Sequence, residues 1–99
     1  MPLETKPYDS AEYLTTPEDV AAYLEAAFED GDPALIAYAL GAVARSEGMT
    51  EVAKAAGLTR ASLYKALSTE GNPEFATVIK VIQALGFKLT VAAKQDAAA

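Results

Sequence analysis

Residues 50–67 read TEVAKAAGLTRASLYKAL, a stretch that indicates two short helices joined at a glycine. Val52 and Ala56 are one helical turn apart, and Thr50 is in position to cap the first helix. Gly57 is expected to end that helix, because glycine adopts the left-handed backbone conformation without a Cβ penalty. The stretch therefore predicts a helix-turn-helix, with an ordinary helical hairpin as the alternative.

The second helix of this stretch separates an apolar face from a polar one. Thr59 is expected to cap it, while Leu63 and Leu67 pack back on the first helix. Arginine, lysine and hydroxyl side chains are donors suited to base edges and phosphates, so the polar face is expected to contact DNA. A surface ion pair is the alternative for Arg60, and a place in the core is the alternative for Tyr64. The residues predicted to bind DNA, including two in the following loop, are Thr59, Arg60, Ser62, Tyr64, Lys65, Ser68 and Asn72.

The composition argues against several functional classes. With 99 residues the chain is expected to form one small domain, whose stability dimerisation would increase. It has no cysteine and no histidine, so thiol nucleophiles, zinc–thiolate sites and the commonest general base are missing. No apolar run is long enough to cross a bilayer, and the first residues do not resemble an export signal. We expect a cytoplasmic protein that is not an enzyme, with no cofactor, metal, membrane partner or small-molecule substrate.

Charge is distributed unevenly along the chain. Residues 1–44 carry one lysine and nine carboxylates, a net charge of −8, whereas residues 45–99 carry seven basic residues and five carboxylates, a net charge of +2. This division indicates two surfaces, one for a basic protein and one for DNA; the alternative is an acidic face that only aids solubility. The residues predicted to contact the basic partner are Tyr13, Glu18, Glu25, Glu29 and Asp30.

Capping residues, prolines and glycines mark the other helices. A capping residue precedes proline at 16–17 and again at 32–33, which predicts two helix starts. Helix ends are expected at Gly31, Gly48 and Gly86. The predicted segments are two acidic helices within 16–47, the helix-turn-helix at 50–67 and a last helix at 74–85. The last helix is expected to bury Phe75, Val78, Ile79, Ile82 and Leu85.

Residues 87–91 alternate apolar and polar side chains, the pattern of a short β-strand. A strand needs a partner, and the simplest candidates are the same strand of a second subunit or the N-terminal arm. The alternative is an extended tail that packs on its own subunit. The residues predicted to mediate dimerisation are Phe87, Leu89 and Val91.

The predicted architecture is thus mainly α, with five helices and a short C-terminal strand that pairs across a dimer. A single domain is expected at 16–92, preceded by an extended arm at 1–15 and followed by a disordered tail at 93–99.

Two stretches resemble the probable addiction-module antidote proteins, the HigA-like antitoxins with a Cro-repressor-type helix-turn-helix. They are YDSAEYLTTPEDVAAYLEAAFEDGDPALIAYALGAVARSEGM at 8–49 and GLTRASLYKALSTEGNPEFATVIKVIQALGFKLTV at 57–91. The features that carry the resemblance are Gly57-Leu58, the run 60–63, Gly71-Asn72-Pro73, Thr77 and Ala84-Leu85-Gly86.

This resemblance implies a bacterial type II antitoxin that neutralises a small basic toxin of the RelE/ParE kind, encoded beside it. It also implies that the protein represses its own operon by binding operator DNA. The acidic first part of the chain is what a binder of a basic toxin needs. A stand-alone helix-turn-helix repressor and a protein-interaction module without DNA binding are the alternatives.

Overall fold

The structure is a computed structural model that describes residues 14–68 and 72–94. The described residues form five α-helices: α1 Pro17–Asp30, α2 Pro33–Glu47, α3 Met49–Ala56, α4 Arg60–Ala66 and α5 Phe75–Ala84. The predicted mainly helical fold with five helices is thus confirmed. Tyr13, most of the predicted arm and most of the predicted tail lie outside the described residues, and the extent of the domain stays a prediction.

The two long helices begin as their capping residues predict. The Thr16 hydroxyl accepts a hydrogen bond from the backbone N–H of Asp19 at 3.0 Å, and the Asp32 carboxylate accepts one from Ala34 at 3.0 Å. A proline occupies the first turn of each helix, where its missing N–H costs no intrahelical hydrogen bond. Gly31 ends α1 in the left-handed conformation, with φ of 82°.

The start of α3 differs from the prediction. The helix begins at Met49, and Thr50 lies inside its first turn rather than at the cap. Gly48 ends α2 and directly precedes α3, and its carbonyl accepts a hydrogen bond from the N–H of Val52 at 3.0 Å. Because one glycine serves both helices, no linker is left in which a capping side chain could sit.

Helix α3 is the centre of the packing, since it contacts α2, α4 and α5, while α1 covers α2. The most deeply buried large side chains come from three helices: Leu40, Val43, Leu63 and Val81. Gly41 allows α2 to approach the end of α4, because a Cβ at this position would lie 3.3 Å from the carbonyl oxygen of Leu67. The packing thus fixes α4 against α3 and places the residue that ends α4 beside α2.

One prediction for the C-terminal part is wrong, and a single chain does not test the other. Phe75 is 71% exposed rather than buried, because it is the first residue of α5 and the buried stripe begins at Val78. The predicted strand at 87–91 is not a strand in the single chain, since no described segment pairs with it. Pairing with a second subunit or with the N-terminal arm stays a prediction.

Candidate nucleic-acid interface

Helix α4 is short, and a cap at its start and two buried leucines fix its position. At its start, the Thr59 hydroxyl accepts a hydrogen bond from the N–H of Ser62 at 3.0 Å and donates one to the Ser62 hydroxyl at 2.9 Å. The predicted cap at Thr59 is therefore confirmed. Leu63 is completely buried and Leu67 nearly so, which anchors the helix in the core. The remaining side chains of the predicted set are exposed: Arg60, Ser62, Tyr64 and Lys65.

Arg60 is positioned by two neighbours. Its Nη1 donates a hydrogen bond to the Thr50 hydroxyl at 3.3 Å, and its guanidinium carbon lies 5.6 Å from the centre of the Tyr64 ring. A cation over an aromatic face is attracted by the ring quadrupole. Tyr64 is 47% exposed, so this residue lies on the surface and not in the core. The contact between α3 and α4 thus orients the guanidinium at the start of α4.

An open groove of about 540 Å³ runs between α4 and the start of α5. Its lining consists of Ser62, Lys65, Ala66, Ser68, Asn72, Pro73, Glu74 and Thr77. The groove brings together four residues that the sequence assigned to DNA, from both the helix and the loop that follows. Thr59, which caps α4, does not line it, and neither do Arg60 and Tyr64 on α4.

Four lining residues were absent from the predicted site, and two of them, Glu74 and Thr77, have polar side chains. Thr77 reaches the groove from the first turn of α5, and the resemblance of its neighbourhood to the antidote proteins was the only sequence signal for it. Glu74 contributes a carboxylate, which repels phosphate and therefore restricts where a DNA backbone can lie. Inside the groove, the Ser68 hydroxyl donates a hydrogen bond to the carbonyl of Lys65 at 3.1 Å.

The predicted acidic surface lies on α1. This helix contains five carboxylates and no lysine or arginine, and all five are exposed: Glu18, Asp19, Glu25, Glu29 and Asp30. Glu25 and Glu29 also line a second groove, of about 570 Å³, between α1 and residues 87–92. The structure thus brings two predicted toxin contacts beside residues that the sequence assigned to dimerisation.

Some chemistry is not found in the described part of the chain. Within residues 14–68 and 72–94, no three side chains of the metal-binding types come together as a metal site. None of the helices in these ranges has the length and apolar character needed to span a bilayer.

Comparison with known proteins identifies the family. Residues 4–93 match the model of a family described as "Probable addiction module antidote protein". The chain belongs to this antidote family. An uncharacterized protein of Haemophilus influenzae is 44% identical to the antidote over 88 residues, which cover 89% of this chain and 91% of that relative. No solved structure matches the antidote significantly.

The family assignment confirms the resemblance seen in the sequence, at the level of the antidote family. An addiction-module antidote is a regulatory protein and not an enzyme, and its partner is a toxin. The HigA-like subtype, the kind of toxin and DNA binding go beyond what the family description states.

Proposed function

We propose that this antidote neutralises a small basic toxin of the RelE/ParE kind and represses its own operon as a DNA-binding homodimer. The observation that best supports DNA binding is that α4 has a buried apolar face and an exposed polar face. Leu63 and Leu67 hold the helix in the core, while donors suited to DNA cover its outer face. In this proposal α3 and α4 form a Cro-repressor-like helix-turn-helix, with α4 in the major groove.

The exposed residues divide into two roles. Arg60 stands at the start of α4 and is oriented by its neighbours, which suits a bidentate contact to a guanine edge. Lys65, Ser68 and Asn72 line the groove beside α5 and suit phosphate contacts, which position the protein without reading sequence. Thr59 caps the start of α4, and its exposed side chain suits a contact to a phosphate.

Dimerisation is proposed through residues 87–91. Leu89 is 37% exposed and Val91 is 97% exposed, so both apolar side chains have room to be covered by a second copy. The strands of the two subunits would pair in one ladder, so that the backbone N–H and C=O groups of each strand form hydrogen bonds with the other. Two copies of α4 would then face DNA together.

The toxin surface is proposed on α1. Five exposed carboxylates on a helix that contains no lysine or arginine create a negative potential that attracts a basic protein and accelerates its association. A stand-alone repressor has no need of such a surface. The acidic helix therefore favours the antitoxin over that alternative.

Co-purification with the product of the neighbouring gene tests the toxin half of the proposal. We expect a complex that survives gel filtration and loses strength as salt rises. A mobility-shift assay on the operon's own promoter tests the DNA half. Promoter binding without a toxin would support the stand-alone repressor, a toxin complex without promoter binding would support a protein-interaction module, and failure of both would overturn the proposal.

A further inference from the structure

We propose that the groove between α1 and residues 87–92 receives a positively charged segment of the toxin that also carries apolar side chains. This inference rests on the proposed function and names the site on the antidote at which the toxin docks. It depends on the shape, charge and backbone of the groove, each of which restricts the occupant.

The floor of the groove is apolar and is formed by residues packed in or against the core. Leu24 and Ile82 are buried members of the core at its base, and Phe28 and Phe87 are partly buried beside them. The turn after α5 fixes this arrangement, because the N–H of Phe87 donates a hydrogen bond to the carbonyl of Ile82 at 3.0 Å. Leu89 extends the floor and is more exposed than these four. An occupant with apolar side chains would cover this surface.

The charge of the rim selects a basic occupant. Glu25 and Glu29 are four residues apart on α1, so their carboxylates stand side by side and repel each other. Lys88 is the single cation of the lining and leaves the rim with a net negative charge. A cationic segment would relieve the repulsion, whereas a second copy of this chain, with a net charge of −6, is electrostatically less suited.

The backbone beside the groove can take part in binding. Among the described residues, none forms a backbone hydrogen bond with residues 88–94. A strand has two edges, so the N–H and C=O groups that a dimer ladder leaves free can pair with an extended segment. Strand addition of this kind supplies affinity while pockets supply specificity. The groove can therefore hold a peptide segment by its main chain, by apolar contacts and by charge.

The experiment measures the affinity of the full-length antidote for the purified toxin from the neighbouring gene. The charge test is the double variant Glu25→Lys/Glu29→Lys, and its matched control is Glu47→Lys/Glu51→Lys. The control residues are exposed, lie outside α1 and the groove, and change the net charge equally. We expect the groove variant to raise Kd at least about tenfold at low salt, and the control to raise it less than about threefold. Equal effects of the two variants would overturn the proposal.

A second pair of variants tests the apolar floor. Leu89→Ser removes a lining side chain, whereas Val91→Ser changes a side chain that is more exposed and does not line the groove. We expect only Leu89→Ser to weaken toxin binding, and we expect the loss to persist at high salt because apolar contacts are not screened. Equal binding by the two serine variants would contradict an apolar floor.

Light scattering and promoter binding distinguish failure of the groove proposal from failure of the proposed function. Light scattering without toxin should give the same mass for wild type and the groove variant; a reduced mass would mean that a second copy occupies the groove. Promoter binding should be unchanged by Glu25→Lys/Glu29→Lys, which shows that this variant folds, while the helical content in circular dichroism shows that Leu89→Ser folds. If the wild-type antidote binds toxin and the groove variants bind equally well, the groove proposal fails while the proposed function stands. A wild-type antidote that does not bind toxin would overturn both.

Discussion

Arg60 owes its placement to residues on two helices. The Thr50 hydroxyl on α3 and the Tyr64 ring on α4 contact different parts of the same guanidinium. A guanidinium is planar, and its fixed fork of donors matches a guanine edge only in a limited range of orientations. In the proposed complex with DNA, part of the entropic cost of ordering this side chain would therefore be met before binding, as in other preorganised interfaces.

Arg60→Ala and Lys65→Ala are expected to affect operator binding in different ways. Loss of a bidentate arginine–guanine contact removes about 1–3 kcal/mol of base discrimination, so Arg60→Ala should relax preference at one position in each half-site. Loss of a phosphate contact should weaken all sequences alike and reduce the salt dependence. Titrations of operator and scrambled DNA at several salt concentrations measure both effects. If neither variant changes binding, α4 is not the recognition helix.

Tyr64→Leu tests the support that the ring gives to Arg60. An exposed cation–π contact is worth about 0.5–1 kcal/mol, so operator affinity should fall about two- to fivefold. Tyr64→Phe keeps the aromatic face and is the matched control, expected to bind like wild type. A similar loss in both variants would assign the effect to the tyrosine hydroxyl instead of to the ring.

The individual residues show which sequence signals were sufficient. The caps at Thr16, Asp32 and Thr59 could be predicted, because a cap depends on a few consecutive residues. Thr50 was misassigned because Gly48 joins two helices without a linker, so the helix cap lies two residues before the predicted one. The contact between Thr50 and Arg60 links two helices, and periodicity within either helix carries no information about it.

At the scale of elements, the packing of α2 against α4 depends on Gly41. A Cβ at this position would lie 3.3 Å from the Leu67 carbonyl oxygen, which belongs to the backbone at the end of α4. It would also lie 3.3 Å from Nη1 of Arg45, an exposed side chain that can move away. The backbone oxygen is therefore the contact that limits the size of residue 41.

Gly41→Val is expected to destabilise the protein by roughly 1–3 kcal/mol, because overpacking forces two helices apart. Gly41→Ala is the matched control. Its single methyl group crowds the Leu67 carbonyl less than valine does, and a gain of about 1 kcal/mol in helix propensity offsets that crowding, so its free energy of unfolding should stay close to that of the wild type. Urea denaturation followed by circular dichroism compares the two free energies of unfolding. A valine variant as stable as wild type would show that α2 and α4 are not closely packed.

The helices were predictable as elements, but the grooves between them were not. Prolines and glycines mark the helix ends locally, and the observed ends lie within about two residues of the predicted ones. The second groove combines Glu25 on α1 with Leu89 after α5. Such a surface arises only when distant segments pack, so the sequence assigned its residues to two separate functions.

At the scale of the whole molecule, residues 87–91 hold the two copies of α4 together in the proposed dimer. A chain that ends at Phe87 keeps this partly buried side chain and its hydrogen bond to Ile82 but loses the remaining segment. We expect this chain to be monomeric in light scattering, while a chain that ends at Lys94 stays dimeric. If both chains have the mass of a dimer and the same helical content, dimerisation uses another surface.

The proposed dimer also predicts the arrangement of the proposed operator. Two subunits related by a two-fold axis should present two copies of α4 to successive major grooves, so the operator should be an inverted repeat. Its half-sites should lie about 10 base pairs apart, or a multiple of that spacing, because this is one turn of B-DNA. Footprinting of the promoter with the full-length protein measures the spacing.

Changing the spacing between half-sites tests this geometry directly. Insertion of about 5 base pairs places the second half-site on the opposite side of the duplex, and binding should fall to the level of a single half-site. Insertion of about 10 base pairs returns the second half-site to the same side of the duplex but leaves it one helical turn farther away. A rigid dimer should therefore recover little affinity. The net charge of −6 disfavours non-specific contacts with phosphates, which leaves this loss uncompensated. Equal affinity for all three spacings would mean that the two copies of α4 do not bind DNA as one unit.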